Sequence, residues 1–96
     1  MSEKPPKILD SAQVLFYAIL DSSVIYTGKA PIYYNGKLVG PVPRLAICGT
    51  YEPDILLFYC NDNWEVLAAG GHPSIESAQQ HAETQYQGVS KKWKAV

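Results

Sequence analysis

The sequence predicts an α+β fold: an antiparallel sheet of about five strands with one C-terminal helix packed on one face. Three observations predict it. Short runs of β-prone residues, separated by turn formers, fill the first two thirds of the chain. One amphipathic segment follows these runs instead of alternating with them, which favours an antiparallel sheet over a βαβ arrangement. The chain has 96 residues, 47% hydrophobic and 18% charged, enough for one small domain over residues 1–96 and too few for two.

The elements follow in order. Residues 1–11 are polar and proline-bearing and read as a loose tail. Residues 13–20 (QVLFYAIL) form a short apolar run ending at Asp21-Ser22-Ser23, too short for a stable helix and suited to a buried strand. Residues 31–39 place Asn35-Gly36 between β-prone arms. That pair suits a type I′ hairpin turn, which needs positive φ at both central residues. Gly40-Pro41-Val42-Pro43 then interrupts any ladder, because proline has no N–H to give.

Three strands should follow, at 44–51, 54–60 and 64–69. Glu52-Pro53 and Asn61-Asp62-Asn63 separate them with turn chemistry. Gly70-Gly71-His72-Pro73 should end the last strand. Ser74 is a credible N-cap with Glu76 in the first turn, and the helix should run from 75 to 86 with Gly88 as its C-cap glycine. Ile75, Ala78, Ala82 and Tyr86 share one helical face, and two alanines in its middle allow close approach to a sheet.

Strand alternation sets Ile55, Leu57 and Tyr59 against Leu56, Phe58 and Cys60, and Val14, Phe16, Ala18 and Leu20 against Leu15, Tyr17 and Ile19. Both faces of both strands are apolar. A helix of twelve residues, about 18 Å long, covers only one face. The other must be covered by curvature of the sheet, by the tail with Trp93, or by another chain such as a second copy.

The formal net charge of −1 conceals a strong asymmetry. Residues 1–44 carry five bases and three acids. Residues 45–90 carry Glu52, Asp54, Asp62, Glu65, Glu76 and Glu83 with neither Lys nor Arg. Residues 91–96 add three lysines. The middle segment would repel nucleic acid and attract a basic protein, unless it is simply a solvated face with the lysine tail folded onto it. Tyr51, Glu52, Asp54, Tyr59, Asp62, Trp64 and Glu65 combine aromatic and acidic side chains around two strand ends and form the candidate protein-binding patch.

Chemistry is sparse. Cys48, Cys60, His72 and His81 match no zinc spacing, and no phosphate-binding glycine frame occurs, so no metal or cofactor is expected. Cysteines in predicted strands behave as small hydrophobes. A small enzyme using Cys60 or His72 is an alternative with no oxyanion hole to support it. Two cysteines are too few for a disulfide scaffold. The apolar run after Lys4 and Lys7 imitates a signal peptide poorly, with only seven apolar residues before Asp21 and no obvious small-x-small cleavage site, and nothing approaches a membrane span. A cytoplasmic protein is expected, with no nucleic acid or membrane partner.

Residues 55–93 carry the strand Leu56-Leu57-Phe58-Tyr59-Cys60, the turn Asn61-Asp62-Asn63-Trp64, the helix entry Ser74-Ile75-Glu76-Ser77-Ala78, and Tyr86-Gln87-Gly88-Val89-Ser90 before Trp93. This stretch resembles the small α+β immunity proteins of bacterial polymorphic-toxin systems and related domains of unknown function. The resemblance implies a non-enzymatic cytoplasmic protein that blocks a toxin by binding it. No site residues transfer from it. The alternative is a homodimeric structural or regulatory domain.

Overall fold

The computed structural model describes residues 4–29, 32–38, 40–49 and 54–96. In chain order the strands are β1 (Ile8–Leu9), β2 (Ala12–Ile19), β3 (Ile25–Tyr26), β4 (Tyr33–Tyr34), β5 (Lys37–Leu38), β6 (Arg44–Gly49), β7 (Ile55–Cys60), β8 (Val66–His72), β9 (Tyr86–Gln87) and β10 (Lys94–Ala95). Helix α1 (Ile75–Gln85) lies between β8 and β9, and a 3₁₀ turn spans Val89–Lys91. The main sheet is antiparallel, strongly curled, and ordered β1-β2-β6-β7-β8, with α1 packed against it. The α+β class is therefore as the sequence predicts.

Both faces of the sheet are filled by the chain itself. Leu57 and Tyr59 of β7 join Leu45, Ile47, Ala78, Ala82, Tyr86 and Val89 in the helix-side core. Phe58 and Cys60 join Ala46, Cys48, Val14, Tyr17, Leu9 and Trp64 in a second core on the opposite face. The alternation read for residues 55–60 is the observed one. That for residues 14–20 breaks, because Val14 pairs with Cys48 but Phe16 pairs with Ile47, making Leu15 a bulge. A bulge turns the following side chains to the other face and strengthens the local twist. So Val14 and Tyr17 share the second core, while Phe16 and Ala18 face the helix. A second bulge falls at Leu67, between the pairs Tyr59–Ala68 and Cys60–Val66.

Curvature thus covers the face that a partner or second copy was invoked to cover. Leu9 and Trp64 complete it, and Trp93 packs instead on the helix-side core. A homodimer built on that face loses its physical basis. Leu9 reaches the core because Asp10 and Ser11, at φ 46° and 68°, turn β1 back onto β2. Ile8 and Leu9 are therefore part of the sheet, and Asp10-Ser11 is the turn that joins them to β2, not a loose tail. At the other end of the chain β10 also pairs with β2, against Phe16 and Tyr17.

Two boundaries differ from expectation. The last strand occupies 66–72 and not 64–69: Trp64 takes a left-handed φ of 63° within the turn, and Gly70, Gly71 and His72 continue the ladder opposite Leu57, Leu56 and Ile55. The helix starts as predicted, with the Ser74 side chain accepting from the Ser77 N–H, but ends at Gln85. Tyr86 turns extended to pair with Tyr26, and Gly88, at φ 99°, opens the 3₁₀ turn in place of capping the helix. A Cβ on Gly88 would also stand 3.2 Å from the Ser23 carbonyl oxygen, so glycine is needed twice over. No helix among the described residues is long and apolar enough to cross a membrane.

Candidate protein-binding surface

The turn between β7 and β8 is organised by one side chain. Asn61 Oδ1 accepts from the N–H groups of Asn63 (2.9 Å) and Glu65 (3.0 Å), its Nδ2 donates to Glu65 Oε1 (2.9 Å), and its carbonyl accepts from Trp64 N. This is Asx chemistry supplying the turn with bonds the ladder cannot. It holds Asp62 and Glu65 exposed to solvent, and it forces Trp64 into the left-handed region. The Trp64 ring then drops into the second core at 6% exposure, edge-on to Tyr17 (centroids 6.0 Å apart) with the Arg44 guanidinium 5.3 Å from its centroid.

The predicted patch therefore divides. Asp54, Asp62 and Glu65 are exposed. Tyr59 and Trp64 are core residues and are corrected from contact residues to supports. Tyr59 is buried because its hydroxyl donates to Gln85 Oε1 on α1 at 2.6 Å, a polar tip satisfied inside the fold. Tyr51 and Glu52 lie outside the described residues.

The exposed aromatic side chains sit elsewhere. Asn35 (φ 53°) and Gly36 (φ 78°) form the two-residue turn that the sequence predicts, and β4 and β5 are only two residues long on either side. Tyr33 (67% exposed), Tyr34 and Leu38 consequently stand out from the body, with β4 beside β8 but unpaired to it. The signal was available: an Asn-Gly turn with Gly40-Pro41 so close behind leaves arms too short to bury their side chains.

The two residues named for an enzyme lie apart. Cys60 is fully buried, and burial pushes its thiol up to about 12, as it does for Cys48. His72 pairs with Ile55, at the far end of β7 from Cys60, roughly 17 Å away at about 3.3 Å per residue. No Cys60–His72 pair exists. His72 lies instead against α1, its Nδ1 3.4 Å from Ser77 Oγ and its ring 5.0 Å from that of His81. Desolvation, then the neighbouring imidazole of His81, lowers the pKa of His72. Among the described residues no three His, Cys, Asp or Glu side chains gather into a metal-binding group.

No family model, curated protein or solved structure matches the chain.

Proposed function

We propose that this chain is a non-catalytic protein-binding domain of the immunity type, which neutralises a basic partner protein by direct contact at its acidic turn region. One observation carries the reading. Asp62 and Glu65 are exposed on a turn fixed by Asn61, within a segment from 45 to 90 that has no Lys or Arg. Carboxylates on a preformed turn need little ordering on association, and an acidic surface steers a basic protein and speeds its encounter. Tyr59 and Trp64 contribute by holding the turn to the core. A cytoplasmic bacterial antitoxin role accords with the resemblance of residues 55–93 and belongs to the same proposal.

Co-expression with the product of the neighbouring reading frame tests it. Complex formation should weaken by about tenfold for Asp62→Lys or Glu65→Lys and fall as salt rises. Binding indifferent to both reversals and to salt would remove the electrostatic basis.

A further inference from the structure

The chain passes from β8 into α1 through Pro73 and Ser74 alone, so the last strand residue, His72, lies against the start of the helix. Ser77 and His81, four residues apart, share one flank of α1. Both meet His72. Its Nδ1 is 3.4 Å from Ser77 Oγ, and its ring centroid is 5.0 Å from that of His81, with the planes 46° apart. That separation matches a shared ligand. A tetrahedral ion about 2.0 Å from each donor nitrogen, with a ring radius of roughly 1.1 Å, puts two imidazole centroids about 5 Å apart. The space beside His72 is open as well. Gly70 is its neighbour on the same face of β8, and a Cβ there would stand 3.8 Å from His72 Nε2 and meet no other described residue within 4 Å. His81 is exposed, so its ring is free to turn and the pair is reachable from solvent.

We propose that His72 and His81 form a two-imidazole site for a divalent transition metal of the zinc, nickel and copper class, which clamps the end of β8 to α1. The site is independent of the acidic-turn reading. Ser77 is its positioning residue. With His72 Nδ1–H turned to Ser77 Oγ, the lone pair falls on Nε2, the nitrogen beside the open space over Gly70. The donor set chooses the class of ion. Imidazole suits zinc, nickel and copper, whereas magnesium and calcium require oxygen ligands. The ionisable group that acts on His72 is His81 and not a carboxylate. Burial first, and then His81, lowers the pKa of His72, so its neutral, ligating form prevails near neutral pH. Two protein ligands leave the other coordination positions to water, so the ion exchanges with the solution and is not locked into the fold.

The test titrates the isotope-labelled full chain with zinc chloride and, separately, with magnesium chloride. Calorimetry gives the stoichiometry, and the imidazole NMR signals show which rings respond. Both read the folded chain, in which Cys48 and Cys60 are buried and do not compete for the metal. One zinc per chain should bind, moving the His72 and His81 signals together with a single midpoint, and magnesium should move neither. His72→Ala and His81→Ala should each weaken zinc by about tenfold or more, since loss of an outer-shell partner alone costs about that much. Ser77→Ala should weaken zinc and shift the His72 ring nitrogens towards the other tautomer, a change that a merely structural role would not produce. Where a variant loses its native amide spectrum, the ring signals of the wild-type chain decide. No saturable zinc binding overturns the proposal. So does a response from only one of the two rings, which is an isolated imidazole taking up metal. Zinc binding unchanged in both histidine variants places the ion elsewhere and overturns it equally.

Discussion

Tyr59 Oη donates to Gln85 Oε1 at 2.6 Å, and this bond ties the inner strand β7 to the last turn of α1 across the helix-side core. Both residues are buried, at 7% exposure each. Deleting the hydroxyl strands an amide oxygen in the core. Tyr59→Phe should therefore lower stability by roughly 1–3 kcal/mol in urea unfolding, and Tyr59→Phe with Gln85→Leu should recover part of that loss. A Tyr59→Phe variant as stable as wild type would contradict this account of the residue.

Glu83 anchors the chain beyond the helix. Its Oε2 accepts from Gly88 N (2.8 Å) and its Oε1 from Ser90 N (3.0 Å), and these bonds hold its carboxyl below the usual range. A carboxyl depressed in the folded state contributes stability above its unfolded pKa of about 4.3 and loses it as pH falls through the folded value. Glu83→Gln should be less stable than wild type near pH 7. The difference should narrow as pH falls below about 4.3 and close once pH is below the folded value, in unfolding curves taken across that range. A pH-independent difference would mean that the charge contributes nothing.

Cys48 and Cys60 lie fully buried in the second core, with thiols pushed up to about 12 by burial first. Thiolate is the reactive form, so both should resist a thiol-specific disulfide reagent in the folded protein. Labelling should appear only as denaturant opens the sheet. Rapid labelling of the native chain would show that the second face is not closed.

Ala78 and Ala82 are wholly buried where α1 meets the sheet. Ala82→Leu forces extra methylenes into that contact and should cost about 1–3 kcal/mol. The shift in urea midpoint measures it, and a neutral result would place slack at the helix–sheet interface.

Much of this was legible in the sequence. The Asn35-Gly36 turn, the Ser74 cap, the helical face through Ala78 and Ala82, and the two faces of residues 55–60 follow from local chemistry and periodicity. What escaped depends on long-range fit. Strict alternation cannot show that Leu15 and Leu67 are bulges, because a bulge is set by the register of the paired strand. Tyr59 has the composition of a surface aromatic, and its burial depends on an acceptor at Gln85, 26 residues later. Trp64 looks like a strand residue until Asn61 draws it into the turn. Asp10-Ser11 makes a positive-φ turn without glycine, which no composition rule selects. In the candidate patch, the acids are legible because charges stay at the surface, and the aromatics are not because they fit either place.

The most direct test of the central claim is amide NMR mapping of the isotope-labelled chain as a basic partner protein is added. The account predicts that shifts and line broadening centre on Asp62, Glu65 and the turn around them, weaken with salt, and vanish for Asp62→Lys with Glu65→Lys. Perturbations confined to other parts of the molecule, or unchanged in the charge-reversed chain, would contradict it.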